Sequence, residues 1–447
     1  MISLLAQYYN TYTVNLEKFF SWYSIIGRKI LDFLHIIFEN AFNMLLYATI
    51  LISLLYLIIS VYIIFKKQKK AIHRYEGDLP SVTVQIPTYN ELVAIRCAKA
   101  CLSFDYPKDK YEIIIGDDSN RPEISEKIAE FAKEHDLIRI IKRANNYGYK
   151  PGNLNSMLKH SKGEILAIFD SDFVPQEDFL RRIVQPFMND DKIAGVQARW
   201  RLMNANQNII TALGTTIVAI CHYIALSFIY GRKRIALLCG SAEAVRKKTL
   251  IELGGWDNGN LTEDIEFALR LLKNGYKIEY LEDLECEGEV PYTIKDLYRQ
   301  QMRWGYGVIS SWKKHFASII KSKHLSMSDK LHMQVIFLSG YLITALMLCL
   351  FLVGTLSFIT HAPEPINWGE FTYNFARNVV LTSGFIFAGI VALARARKIK
   401  LILPMIASSF SYGLVDIYHV NVGILKALAR MPMEWYMLNK HGNELAE

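Results

Sequence analysis

The feature that most constrains this chain is the run from Phe42 to Phe65, which contains no charged residue. As a helix it would be about 36 Å long at about 1.5 Å per residue, enough to cross a hydrocarbon core of about 30 Å. It predicts a membrane-spanning helix, and a second such run, Val335 to Ile359, predicts another. A shorter run, Val379 to Ala394, stops at Arg395 and reads as a third span. A fourth apolar stretch, Leu401 to Ile424, is interrupted by Pro404, Gly413, Asp416 and His419, which predicts a segment that re-enters the bilayer or lies at its surface. Hydrophobic residues make up 51% of the 447-residue chain, and they concentrate in these runs.

The first forty residues mix Glu17, Lys18, Arg28, Lys29 and Asp32 with aromatic and aliphatic side chains. They lack the basic start, compact apolar core and cleavage site of a secretory signal, and read as an amphipathic helix lying on the bilayer. The formal net charge of +8 would suit a nucleic-acid partner if it formed a patch. Instead Lys66, Lys67, Lys69, Lys70 and Arg74 follow the first run, and Arg395, Arg397, Lys398 and Lys400 follow the third. The charge is topological, and no nucleic-acid partner is expected. It predicts an integral membrane protein with the segment from about Lys66 to Ser328 in the cytoplasm and the loop between His361 and Asn378 outside; the plasma membrane is the compartment expected. The six cysteines show no Cys-x-x-Cys spacing, which supports neither a disulfide framework nor a zinc site.

Between Leu79 and Leu281 short β-rich runs alternate with helical patterns. Val82 to Ile86, Tyr111 to Ile115, Ile138 to Ile141 and Ile165 to Phe169 read as strands, and Glu123 to His135 as a helix between two of them. This alternation predicts an α/β fold, a mostly parallel sheet with helices on both faces and ligands at the carboxyl ends of the strands. Polar clusters fall there: Thr88 to Glu91 after the first strand, Asp117 to Ser119 after the second, Asp170 to Asp172 after the fourth. The uncharged stretch Ile209 to Ile229 could span a membrane, but that would separate Asp170 and Asp172 from Glu263 and Asp264. It therefore reads as a helix buried in the cytoplasmic domain or leaning on the bilayer. The expected parts are residues 1–75 with the first span, a cytoplasmic domain over 76–308, and 309–447 with an interfacial helix and the remaining membrane segments.

Each polar cluster admits a structural and a chemical reading. Asp170 and Asp172 alternate on an extended segment, so both carboxylates can face one hard divalent cation, Mg²⁺ or Mn²⁺; alone, such a pair is more often a solvated turn. Asp117 and Asp118 can face a base or ribose, or simply end a strand. Thr262, Glu263 and Asp264 open a helical pattern, where acidic residues favour the helix dipole, and Asp264 could equally serve as a general base. Gln300, Arg303 and Trp304 share one helical turn, offering a fork for diphosphate oxygens beside an aromatic face for a sugar, or an interfacial Arg/Trp contact.

Taken together and in this order, the clusters resemble the processive branch of glycosyltransferase family 2, which includes cellulose, chitin and hyaluronan synthases and the plant cellulose-synthase-like mannan synthases. The resemblance runs from Pro87 to Trp304 and includes Gly148 to Leu154 and Gln197 to Trp200, the stretch from Gln197 to Asn206 being nearest the mannan-synthase side. It implies a GT-A nucleotide-sugar-binding fold and single-displacement inversion, from a UDP- or GDP-sugar donor to a glycan or lipid acceptor. It also implies that Thr88, Glu91, Asp117 and Asp118 contact the nucleotide, with Asp117 beside Asp264 in the catalytic set. Lys150 would meet the diphosphate, and Asp170 and Asp172 the nucleotide sugar and metal. Asp264 would be the base, and Gln300, Arg303, Trp304, Glu263, Cys239, Gly240 and Ser241 would form the diphosphate and acceptor site. The nearest match to the family's gating segment is Trp435 to Lys440, with Leu438 where those synthases carry Thr. Elongation of a β-linked polysaccharide is the first expectation, and single addition to a membrane lipid the second. A non-catalytic scaffold or transporter is the third, and it fits poorly with two uncharged spans and an intact set of Asp172, Asp264 and Arg303.

Overall fold

The computed structural model describes residues 2–67, 77–233, 235–361 and 367–440. Seven strands, β1 (Val82–Thr88), β2 (Tyr111–Asp117), β3 (Ile138–Lys142), β4 (Ile165–Ile168), β5 (Ile193–Leu202), β6 (Glu243–Arg246) and β7 (Lys277–Gly288), form one sheet in the order β3-β2-β1-β4-β6-β5-β7. All pairings are parallel except those of β6, which runs antiparallel to β4 and β5. The first four strands stand where the β-branched runs predict them.

Alternation along β2 shows how the sheet is covered. Ile113 and Ile115 point into one apolar layer with Cys97, Ile128 and Phe179, while Ile114 points into the other with Leu154, Met157 and Phe267. Every residue of β1 is buried, and its polar Thr83 and Gln85 donate to the Glu112 carboxylate at 2.8 Å and the Ser161 hydroxyl at 3.0 Å. At the carboxyl edge the register sets Thr88 opposite Asp117 and Asp117 opposite Lys142. Because β6 is antiparallel, with Glu243 opposite Ile168, the loop preceding it arrives at that same edge.

The chain divides into two compact units, Met1–Leu55 with Ile343–Ser383, and Tyr56–Leu342 with Gly384–Glu447. In the first, the Arg28 guanidinium pairs with Asp32 and reaches the Thr360 carbonyl at 3.3 Å, and the His35 ring meets the Ser357 carbonyl at 3.0 Å. The second holds the sheet.

Among the described residues, three helical segments are long and apolar enough to cross a membrane, Ser24–Phe65, Ile209–Gly231 and Leu338–Thr360, and two broken helix pairs would add to them if each is one span. The first helix runs without a break over Ile2–Phe65, so the separate surface helix expected before residue 42 is instead continuous with the span; no proline or turn signal falls there to stop it. The third run is also different, being divided into Trp368–Leu381 and Gly384–Arg395. The break falls at Thr382 and Ser383, where the Thr382 hydroxyl turns back to the Asn378 carbonyl at 2.8 Å. The fourth stretch is bent by 70° between Ile399–Ser409 and Tyr412–Leu428. Lys69, Lys70 and Arg74, counted in the first basic cluster, lie outside the described residues.

Within Ile209–Gly231, 72% of the most apolar 18-residue stretch is buried inside the protein. Arg199, fully buried on β5, donates to the Ser227 hydroxyl at 3.0 Å and lies 4.2 Å from the centre of the Tyr223 ring, which ties this helix to the sheet. Helix Tyr412–Leu428 packs on helix Ile294–Lys321 through Gly423, where a Cβ would stand 2.2 Å from the Met302 carbonyl oxygen. Gly423→Ala is expected to force these helices apart, costing about 1–3 kcal/mol by overpacking, which a lowered thermal midpoint of the solubilised protein would register.

Candidate active site

The site begins at the ends of β1 and β2. Asp117 accepts the Ser119 N–H at 2.9 Å and the Ser125 hydroxyl. Asp118 accepts a forked pair from Arg143, with Nε at 2.8 Å. Burial raises the Asp118 pKa, and the Arg143 fork opposes that rise. Thr88 donates to the Glu91 carbonyl at 3.3 Å, and Asn90, held at φ 55°, donates its N–H to Ser119 at 2.8 Å. The loops after β1 and β2 are therefore bonded to one another.

Beyond β4, the Ser171 hydroxyl donates to Glu91, whose pKa burial pushes up to about 7. Asp172, 2% exposed, accepts the Glu289 N–H at 3.2 Å and pairs with Lys440 at 3.0 Å. Arg96 backs this corner, donating to the Asp172 carbonyl at 3.1 Å and pairing with Glu289 at 2.6 Å. Lys150, in the first turn of helix Tyr149–His160, stands at the centre. Its ammonium is 2.7 Å from Asp170, 3.1 Å from Glu263 and 2.6 Å from the Gly240 carbonyl. Burial works against its charge, but Asp170 and Glu263 outweigh it and raise its pKa above the ordinary lysine value.

Gly240 sits at φ +85°, and a Cβ there would be 3.2 Å from the Asp264 carboxylate and 3.3 Å from the Lys150 ammonium, so this loop touches both. Gln197 accepts the Cys239 N–H at 2.7 Å, Glu243 accepts the Gly240 N–H at 2.8 Å, and Trp200 donates to the Ser241 carbonyl at 2.9 Å. The Ser241 hydroxyl in turn accepts the Asp170 N–H at 2.9 Å. Burial, followed by the Glu263 carboxylate, pushes the Asp264 pKa up to about 7, against the pull of Lys150 and Arg303.

Of the residues singled out in the sequence, the structure brings Glu91, Lys150, Asp170, Asp172, Glu263, Asp264 and the Cys239–Ser241 loop into one neighbourhood. Arg303 joins it, donating to the Leu261 carbonyl at 3.3 Å. Gln300 is buried and Trp304 half-buried on the same helix, but among the described residues no hydrogen bond joins either to the carboxylates. Four residues were missed: Arg96, Arg143, Glu243 and Glu289. Glu243 had a legible signal, a carboxylate two residues after the Cys239–Ser241 loop and at the start of the short strand Glu-Ala-Val-Arg. The tail resembling a gate folds over the site: Trp435 stacks on Tyr149 with ring centres 6.2 Å apart, meets Tyr89 edge-on, and leads to Lys440 on Asp172.

A mostly parallel sheet whose acidic loops converge on one lysine at the strand ends, with a single antiparallel strand delivering a further loop, defines a GT-A type glycosyltransferase. Family models for "Glycosyl transferase family group 2" and "Glycosyl transferase family 2" match residues 165–394 and 83–236. The first match covers just over half the chain, and the chain belongs to that family. Among its relatives, glucomannan 4-beta-mannosyltransferase 7 of Arabidopsis thaliana is 28% identical over 86% of this chain and 70% of its own length. Glucomannan 4-beta-mannosyltransferase 1 of Oryza sativa subsp. japonica is 30% identical over 65% of this chain, which spans only 58% of that relative. The mannosyltransferase PcManGT from Pyrobaculum calidifontis, solved with GDP-Man and Mn²⁺, has the same fold, with a TM-score of 0.62 at 19% identity over 88% of this chain and 99% of that one. The chain is thus a family 2 transferase close to the plant mannan synthases.

Proposed function

We propose that this protein transfers a hexose or N-acetylhexosamine from a UDP- or GDP-sugar to an acceptor hydroxyl with inversion, and that it elongates a β-linked polysaccharide from the cytoplasmic face of the plasma membrane. Residues 76–308 would be the cytoplasmic catalytic domain. GDP-mannose is the first donor to test, given the mannan-synthase relatives and the GDP-Man held by PcManGT. The observation that carries this reading is the junction at Lys150, which joins Asp170 to Glu263 directly beside Asp264. Donor-side and acceptor-side carboxylates are thereby held around one ammonium.

Asp170 and Asp172 supply the hard oxygen donors that a divalent cation takes; both are paired with lysines, Lys150 and Lys440, so the cation would displace those ammonium groups from the carboxylates. Asp170 and Asp172 would hold Mg²⁺ or Mn²⁺, which when bound neutralises charge gathering on the diphosphate. The remaining work falls to the chain itself. The acceptor oxygen forms its bond to the anomeric carbon as the bond to the diphosphate breaks. Asp264 takes the acceptor proton, and Lys150 and Arg303 supply fixed positive charge for the departing diphosphate.

The test is a purified-protein assay with radiolabelled UDP- and GDP-sugars, Mg²⁺ or Mn²⁺ and native lipids. Label in a large, solvent-insoluble product supports the polysaccharide reading, whereas label extracted into solvent replaces it with transfer to a lipid. No transfer from any donor overturns it.

A further inference from the structure

The turn that carries Asp264 is not secured by its own helix. Helix Glu263–Lys273 begins after Thr262, which has φ −144° and ψ 65° and whose side chain makes no capping hydrogen bond. Such an end leaves orphan N–H groups and a first turn prone to fray. A general base on that turn needs support from elsewhere, since an error of about 1 Å at the reacting groups can cost about 10²-fold in rate.

The support comes from helix Ile294–Lys321, through residues spaced four apart and therefore on one face. Arg303 donates to the Leu261 carbonyl at 3.3 Å. Gly307 lies so close to Thr262 that a Cβ would stand 2.4 Å from its methyl group. The Ser311 hydroxyl is 3.4 Å from the Thr262 hydroxyl. His315, buried, meets the Glu266 carboxylate through Nε2 at 2.7 Å. Glu266 is 1% exposed and follows Asp264 by two residues on the same first turn. Its carboxylate is also held by Arg270 at 2.7 Å, with Lys314 at 3.4 Å. Arg270 reaches on to the carbonyls of Leu253 and Gly255, at 2.7 and 2.8 Å.

The chemistry of His315 is specific. A carboxylate only accepts, so Nε2 carries the proton, and Nδ1 is left to accept from the Lys273 ammonium 3.2 Å away. The ring is a bridge between a carboxylate and an ammonium on one helix, anchored in a second helix. A side chain that merely filled the space would do neither.

We propose that His315 is a positioning residue for sugar transfer: by holding Glu266 it fixes the first turn of the Asp264 helix at the distance from Arg303 that the reaction requires. This rests on the reading of Asp264 as the general base. His315 touches neither donor nor acceptor, so its removal lowers the rate of the bound complex and leaves donor binding nearly unchanged.

The experiment compares the full-length protein in nanodiscs with His315→Phe, which keeps a ring but no hydrogen bonds, and His315→Gln, whose amide can donate to Glu266 and accept from Lys273. Three quantities are read: steady-state kcat, donor KM, and backbone amide exchange across residues 263–267. His315→Phe is expected to lower kcat about 10- to 100-fold, hold donor KM within about twofold and speed exchange in that turn, while His315→Gln recovers kcat to within about fivefold of wild type. Wild-type kcat with unchanged exchange in His315→Phe overturns the proposal, as does a Gln variant no better than Phe, which would make the effect one of ring packing. If Asp264→Asn transfers sugar at the wild-type rate, the base assignment fails first, and with it the catalytic sense of the bridge. Faster exchange in His315→Phe would then report a structural clamp alone.

Discussion

Asp264→Asn is expected to lower kcat by about 10²- to 10⁴-fold, the range that general-base catalysis supplies, with donor KM little changed. The substitution preserves shape and removes only the ability to take a proton. The folded protein should tolerate it. Burial and Glu263 push the Asp264 pKa up from 3.8 to about 7, so between those values the folded chain holds a proton that the unfolded chain has lost. Stability therefore falls as pH rises through that window, and above about 7 the ionised group remains a burden that asparagine removes. The variant should melt no lower than wild type at pH 8, which separates a lost base from a lost fold. The same pKa fixes the wild-type profile. A base must be ionised, so kcat/KM, which reports the free enzyme, should fall about tenfold per pH unit below about 7 and level off above it. A flat profile from pH 5 to 8, or wild-type turnover in the asparagine variant, would move the base elsewhere, and the adjacent Glu243 would be the residue to examine.

The strand-end part of the site was legible because its residues sit where strand ends must put them. A β-branched run followed by Asp117-Asp118 or Asp170-Ser171-Asp172 leaves little freedom once the sheet is parallel. The helix-borne part was less so. Asp264 lies at a helix start where a capping role competes, and sequence cannot tell that Thr262 makes no cap and that the turn is held by a face of Arg303, Gly307, Ser311 and His315. Arg96, Arg143 and Glu289 were invisible for a related reason: each acts by a contact between segments far apart in the chain, such as Arg96 with Glu289. The membrane segments show the opposite failure. Hydropathy located the apolar runs but not the break in the third, since Thr382 and Ser383 end a helix by local hydrogen bonding that leaves the run apolar.

Chelation of divalent cations, or Asp172→Asn, is expected to lower transfer by about 10²- to 10³-fold, because a metal at a developing diphosphate is worth several kcal/mol and about 1.4 kcal/mol makes each factor of ten. The two losses differ in what restores them. Added Mn²⁺ should recover the chelated wild type, whereas the variant should need far more metal or fail to respond. Asp172→Asn alone confounds chemistry with folding, since it leaves the Lys440 ammonium facing Asp172 with a weakened partner, and breaking a buried ion pair costs about 3–5 kcal/mol. The side chain of Lys440 is 18% exposed, so the lower end of that range applies here. Replacing both members, Asp172→Asn with Lys440→Met, should return the melting temperature towards wild type while transfer stays lost. Mn²⁺ binding followed by electron paramagnetic resonance gives the readout independent of turnover, and both variants should bind it more weakly than wild type. Full activity after exhaustive chelation would assign charge neutralisation at the diphosphate to Lys150, Arg303 and Lys440 in place of a metal, and those lysines would then become the residues whose removal abolishes transfer.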